Sequence, residues 1–291
     1  GILNGVVFFG GPGLYASDWD SKVSAAFVAY DADNDHILGA SSLSDVDGCK
    51  VVNVRRWRVV NNVLYVTVGI THPTTGKKIG ALLRWYGDKN DPWKFHIVGL
   101  VDSEAAELAC FNNRIYIGTW ATVSAVHVSP EIPEGGFTPV SIDSEMWPKV
   151  WTSDVAEPTK TLGRSITSVA GFHEWRNHLY WGVFCPNYYV LSTAQATYGS
   201  LTSPDALAFI LGNYRTPSFW RIDKDNNYEL LYGDTTNPKP VYDKEGKIEN
   251  WELEPSGLEA KWGRGGFGNL WTIYIWAIQE YDGNMYVGTM D

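Results

Sequence analysis

The chain has 291 residues and a mass of 32.5 kDa, with 44% hydrophobic and 19% charged residues, which excludes a disordered chain and supplies a sizeable core. Its 23 basic against 33 acidic residues leave a net charge of −10, which excludes recognition of a polyanion such as nucleic acid through net charge. No apolar run reaches the ~18 residues of a membrane-spanning helix, and 14 Trp, 16 Tyr and 29 Gly favour aromatic strands and tight turns over helices.

Read from the start, Gly1 to Gly5 carries no Met and no basic segment leading into a signal-type stretch, and is expected to be a processed or trimmed end. A turn at Asn4-Gly5 opens onto a strand, Val6-Val7-Phe8-Phe9, and the same cassette then recurs. Asn61-Asn62 leads into Val63-Leu64-Tyr65-Val66, and Asn112-Asn113 into Arg114-Ile115-Tyr116-Ile117-Gly118-Thr119. Arg176-Asn177 leads into His178-Leu179-Tyr180-Trp181-Gly182, and Asp282-Gly283 into Asn284-Met285-Tyr286-Val287-Gly288-Thr289. Asn and Gly tolerate the positive φ that type I′ hairpins require, so each cassette reads as a tight turn followed by a strand B. A strand A precedes four of the turns, at residues 54–60, 105–111, 166–175 and 273–281, and the first copy leaves no room for one. Between the copies lie second hairpins, strands C and D, expected at residues 25–39, 81–99, 123–140 and 218–233.

Four strands repeated at about 50 residues are the pattern of a propeller blade. On these repeats the chain resembles the β-propeller superfamily in its kelch-like and "Leu-Tyr-Val-Gly-Thr" variants, although neither a Gly-His…Trp-Asp signature nor a regular di-glycine is present. The resemblance implies an all-β fold, a single β-propeller domain of four-stranded antiparallel blades, about five of them. The repeat units fall at about 1–53, 54–103, 104–164, 165–269 and 270–291, the last one partial. A β-sandwich is the structural alternative. Because the last unit holds only an A–B pair, the ring is expected to be incomplete, its missing hairpin coming from beyond Asp291 or from another chain. The other expectation is closure by the strand at Val6.

The A-to-B turns are short, whereas the B-to-C and D-to-A links, at residues 10–24, 40–53, 142–164, 185–205 and 234–269, are long. Long loops on a rigid scaffold are where binding sits. The expected ligand-binding residues of this face are Trp147, Trp151, Arg164, Tyr188, Tyr189, Trp251, Trp262 and Trp271, with Tyr198 nearby. Exposed aromatics suit sugar faces and protein hot spots, and the competing reading is that they pack the insertions. At the inner strand ends Asn53, Glu104, Glu107, Arg164 and Ser165 offer a funnel of acids and an Arg, with His72 at a strand exit. Glu104 and Glu107, three apart on one strand, point to opposite faces, which weakens them as a catalytic pair.

Asp31, Asp33 and Asp35 occupy relative positions 1, 3 and 5, the first half of a calcium loop, but the sixth-position Gly and twelfth-position Glu are missing. Similar Asp/Asn runs at Asp88 and Asp223 favour hairpin-turn chemistry, with Ca2+ as the alternative. Cys49, Cys110 and Cys185 allow at most one internal disulfide and form no metal or haem motif, and Cys110 is expected to be a buried thiol. The six histidines have no ligand spacing, and no nucleophile elbow or phosphate loop occurs.

These readings favour a non-catalytic, extracellular or periplasmic propeller that binds a protein, glycan or assembly partner through its long-loop face, with no cofactor encoded. One alternative is a glycoside hydrolase or lyase acting on polysaccharide through the acid/Arg funnel. The other is a propeller subunit of an electron-transfer complex whose cofactors sit in partner chains.

Overall fold

The computed structural model describes residues 1–10, 27–41, 45–156, 166–186, 192, 195–196, 199 and 215–291. The fold is all-β and built of antiparallel, blade-like sheets. Five two-residue turns place both residues in the left-handed region: Asn4-Gly5 (φ 51° and 75°), Asn61-Asn62 (48° and 60°), Asn112-Asn113 (48° and 55°), Arg176-Asn177 (47° and 60°) and Asp282-Gly283 (49° and 71°). That is type I′ geometry, whose twist matches the flanking strands. A sixth such turn, Asp47-Gly48, joins two further strands.

The chain divides into two compact units, Gly1–Thr119 with His127–Lys149, and Trp120–Val126 with Val150–Asp291. In the first unit, β1 (Ile2–Leu3), β2 (Val6–Gly10), β3 (Phe27–Asp31) and β4 (His36–Ser41) form one sheet in sequential order. The short β1 corrects the expectation that the first blade lacks a strand A. The tight Asn4-Gly5 turn lets Ile2 pair with Val7 and Leu3 with Val6 within four residues of the start. A five-stranded sheet follows, of β5 (Asp45–Val46), β6 (Cys49–Val60), β7 (Val63–Thr71), β8 (Lys78–Trp85) and β9 (Phe95–Val101). Phe8 fastens the two sheets, stacked on Trp57 at 5.3 Å and edge-on to Trp85 at 5.5 Å.

Next come β10 (Glu104–Phe111), β11 (Arg114–Trp120), β12 (Ala125–Glu131) and β13 (Lys149–Thr152). The expected hairpin at 123–140 is half right, since β12 is its strand C but the chain does not return at once. Residues 132–148 run instead along the outer strand of the preceding sheet. Val140 N–H donates to the Ile97 carbonyl at 2.9 Å, and Trp147 N–H to that of Leu100 at 2.9 Å. Phe137 N–H donates to the Tyr65 hydroxyl at 3.2 Å. Strand-edge hydrogen bonds thus compete successfully with hairpin closure.

This excursion carries an ionic cluster. His127 is buried, with Nδ1 2.8 Å from the Trp147 carbonyl oxygen and Nε2 3.2 Å from Asp102, while Lys149 Nζ lies 2.6 Å from the same carboxylate. The His127 hydrogen bond, and then Lys149, hold the Asp102 carboxyl well below the usual carboxylate range. A depressed folded-state pKa contributes stability that is present above the ordinary value near ~4 and lost as pH falls towards the folded one. Asp102→Asn is therefore expected to melt below the parent chain at neutral pH. The gap should close in acid, which thermal melts across a pH series would read.

In the second unit, β14 (Ser168–Trp175), β15 (His178–Phe184), β16 (Phe219–Ile222) and β17 (Tyr228–Tyr232) make the next blade. The segment Trp120–Val126 joins it, Trp120 facing Ser168 and Ala121 N–H donating to the Thr167 carbonyl at 3.1 Å. The expected 218–233 hairpin is present in register, with Trp220 opposite Leu230 and Arg221 opposite Glu229. Trp151, Trp181 and Trp220, all fully buried, meet with centroids 5.3–6.5 Å apart and form an aromatic centre for this unit. The long link after the blade holds an unexpected hairpin of β18 (Thr236–Tyr242) and β19 (Ile248–Pro255). A last pair, β20 (Tyr274–Tyr281) and β21 (Asn284–Met290), packs one face, Ile275, Ile278, Met285 and Val287, against Tyr180 and Phe219.

Tyr65, Tyr116, Tyr180 and Tyr286 sit at one offset after their turns, each the third residue of its strand B. The first three are buried, whereas Tyr286 is 56% exposed.

Candidate functional site

The blade β14–β17 brings its two long links to one end. Antiparallel pairing puts the residue entering strand C beside the residue leaving strand D, so Arg215 and Asp234 meet where the hairpin opens. Arg215 Nε lies 3.8 Å from the Asp234 carboxylate, and a terminal nitrogen donates to the Thr236 carbonyl at 3.1 Å. Burial pushes the Asp234 carboxyl up, and the charges of Arg215 and Arg264 pull against that rise. These groups line a cavity of about 740 Å³ with Thr216, Thr235, Thr236 and the backbone of Gly263 and Gly265. That size lies in the range of small-ligand sites.

A second cavity, of about 490 Å³, shares the 263–268 loop, being lined by Gly266 and Phe267 together with Phe219, Tyr232, Trp262 and Thr272, and by Met285, Val287 and Thr289 of β21. One wall is made of rings. Phe267 is edge-on to Tyr232 at 4.7 Å, and Trp262 is edge-on to it at 5.8 Å. Trp262 keeps 42% and Phe267 36% of its surface exposed.

The loop shared by the cavities is held in an uncommon conformation. Gly266 (φ 59°) and Phe267 (φ 56°) are consecutive left-handed residues. At Gly266 a side chain would also meet Thr216 Cβ at 2.9 Å, so glycine is needed for space as well as for φ. At Phe267 the conformation costs roughly 1–2 kcal/mol, a strain of the kind that collects at binding sites. Gly266 N–H donating to the Pro217 carbonyl at 2.9 Å and Asn269 N–H to that of Gly266 at 3.0 Å fix the loop.

The sequence-predicted residues distribute unevenly around this arrangement. Trp262 lines the aromatic cavity, and Trp271, 74% exposed, stands beside the same loop with its backbone N–H donating to Asn269 Oδ1 at 3.0 Å. Trp251 lies half-buried on β19. Trp147 and Trp151 are not offered to solvent: the excursion along β9 seats Trp147 in the core with Phe137, and strand alternation turns Trp151 inward onto Trp181 and Trp220. Arg164, Tyr188 and Tyr189, with Tyr198 and Ser165, lie outside the described residues.

In the other unit the acids of the funnel are ion-paired, Glu104 with Arg55 (2.6 Å) and Glu107 with Arg56 (2.9 Å), and the Asn53 side-chain amide donates to Glu104 at 3.0 Å. His72 lies 3.2 Å from Asp143. Asp31 and Asp33 hold the Lys89 ammonium at 2.6 and 2.7 Å, and Asp35 accepts from the Tyr30 hydroxyl. Asp31 also receives the N–H groups of Asp33 and Asn34, the turn pattern repeated at Asp88, Asp223 and Asp243. Among the described residues no group of three His, Cys, Asp or Glu side chains is placed to hold a metal ion. Cys49 and Cys185 are buried, and Cys110 is half-buried where full burial was expected.

Arg215 and Asp234 carry no mark in the repeat pattern, and Arg264 and Phe267 lie in the glycine-rich run Gly263–Gly268, whose composition reads as a flexible loop ahead of a strand rather than as a ligand seat. The signal available was position, because Arg215 and Asp234 bracket a hairpin whose two ends must meet.

No family model matches the chain, and no curated protein does. Among solved structures it is similar to an exo-1,5-alpha-L-arabinanase from a bovine ruminal metagenomic library, at 12% identity over 99% of this chain and 85% of that one, with a TM-score of 0.38. It is similar to a GH43 endo-arabinanase from Bacillus licheniformis, at 8% identity over 87% and 90% of the two chains, with a TM-score of 0.36. Cobalt-substituted apocarotenoid oxygenase from Synechocystis follows at 11% identity over 73% of this chain and 45% of that one, with a TM-score of 0.31.

Proposed function

We propose that the chain is a glycan-binding β-propeller, acting outside the cytoplasm, whose ligand seat is the pair of cavities around the 263–268 loop. The observation that carries this is the juxtaposition, around one strained loop, of exposed rings with an Arg–Asp–Arg set and three threonines. Sugar rings present apolar faces that stack on aromatics and hydroxyl edges that exchange hydrogen bonds with carboxylate, guanidinium and hydroxyl groups.

Titration calorimetry with a panel of neutral and acidic oligosaccharides tests the reading. Trp262→Ala is expected to weaken the best ligand by at least ~2 kcal/mol, about thirtyfold, with the melting temperature nearly unchanged. Full affinity in Trp262→Ala and Arg264→Ala alike would remove the seat from this loop.

A catalytic extension of the same reading rests on the Asp234 carboxyl, which lines the 740 Å³ cavity beside Arg215 and Arg264 and which burial pushes up, the direction a general acid needs. Its test is release of reducing ends from the polysaccharide that binds. Cleavage lost in Asp234→Asn with binding retained supports the extension, and no cleavage by the parent chain overturns it while leaving the binding reading intact.

A further inference from the structure

The cavity of about 740 Å³ differs from the chain as a whole in the sign of its charge. Among the described residues that line it, the charged ones are Arg215, Arg264 and Asp234, two cations against one anion, in a chain whose net charge is −10. The two arginines are placed differently. Arg215 has 13% of its side chain exposed and directs its donors into the protein, towards the Asp234 carboxylate at 3.8 Å and the Thr236 carbonyl at 3.1 Å. Arg264 is exposed and makes no ion pair among the described residues, although its charge reaches the Asp234 carboxyl.

An uncompensated Asp234 would repel an anionic ligand. Arg215 beside it offsets that charge and leaves the positive charge of Arg264 for whatever enters. The space is far larger than a bare inorganic anion and suits a ligand of several rings. Its other walls mix the hydroxyls of Thr216, Thr235 and Thr236 with Leu253 and Leu270, which keep 63% and 65% of their surface exposed. A hexuronic acid has the matching parts: one planar carboxylate, several hydroxyls and an apolar ring face. A guanidinium takes a carboxylate through two parallel N–H···O bonds, an interaction that a neutral sugar does not offer.

We propose that the glycan of this seat is acidic, a chain of hexuronic acid units, with Arg264 donating to the carboxylate of one unit. This assignment rests on the glycan-binding reading of the 263–268 loop and narrows it from sugars in general to uronates. Arg264 and Trp262 stand two residues apart, one lining each cavity, so a single oligomer is expected to engage both. Arg264 then selects for charge, and Trp262 contributes affinity through the ring face.

Calorimetry on the whole chain tests this with oligomers of galacturonate, glucuronate and mannuronate, each beside its methyl ester, which keeps the sugar and removes the charge. At least one acid should bind about tenfold or more tighter than its ester, and the advantage should shrink with added salt. Arg264→Gln should bring acid and ester together, whereas Arg264→Lys, which keeps the charge and loses the fork, should fall between the two. Equal binding of acid and ester by the parent chain, or a preference for acid that survives Arg264→Gln, would overturn the proposal. Displacement of the uronide by inorganic sulfate at matched concentration would also overturn it, assigning Arg264 to small anions at large. If a neutral oligosaccharide binds, Trp262→Ala weakens it and no uronide competes for it, the acidic assignment falls and the seat stands. If no oligosaccharide of either kind binds, the seat and the assignment fall together.

Discussion

Trp151→Ala is expected to destabilise the second unit by about 3–5 kcal/mol, the cost of emptying a large aromatic site that cannot collapse. The ring is fully buried and lies edge-on to both Trp181 (5.6 Å) and Trp220 (5.3 Å), which themselves stack. Those neighbours sit on strands β15 and β16, whose ladder fixes their backbone, so the walls of the cavity have little freedom to move inward. Trp151→Phe should cost much less, because it keeps most of the ring contact and removes a buried indole N–H that has no hydrogen-bond partner among the described residues. Thermal melts of the two variants separate a core role from a surface one. A Trp151→Ala melt equal to that of the parent chain would contradict the packing described here.

Gly80→Ala should be nearly as damaging for the other unit, by more than ~2 kcal/mol, through overpacking instead of a cavity. Gly80 lies in β8, and a Cβ there would stand 2.2 Å from the Ser103 carbonyl oxygen and 2.5 Å from the Ala105 amide nitrogen. Both are backbone atoms leading into β10, so no rotamer change relieves the clash and the strands must separate. Gly76→Ala provides the contrast, because a Cβ there meets nothing within 4 Å and only its φ of 68° is penalised, at roughly 1 kcal/mol. Denaturant midpoints for the pair should therefore rank Gly80→Ala well below Gly76→Ala.

The two glycines also mark what a sequence discloses. The hairpin turns were legible because their chemistry is local: Asn, Gly and Asp are chosen for positive φ, and each such pair sits between strands. Strands β7, β11, β15 and β21 follow from these turns within a residue or two. The course of residues 132–148 was not legible, because it is settled by hydrogen bonds to Ile97 and Leu100, some 40 residues away, and no local pattern announces an edge partner. Trp147 and Trp151 were placed on the surface for the same reason. A tryptophan in a long link has the composition of a binding residue and, once the link is laid along a strand, the environment of a core residue. Conversely, Phe267 reaches solvent through two left-handed residues that Gly-rich composition permits but does not require.

The seat around the 263–268 loop is the central claim, and the hydrogen-exchange footprint of a bound oligosaccharide tests it most directly. At saturating ligand, amides of residues 233–236 and 262–269 should slow together, while those beside the turns at Asn61, Asn112 and Asn177 remain unchanged. A footprint on those turns, with 262–269 unaffected, would contradict the account.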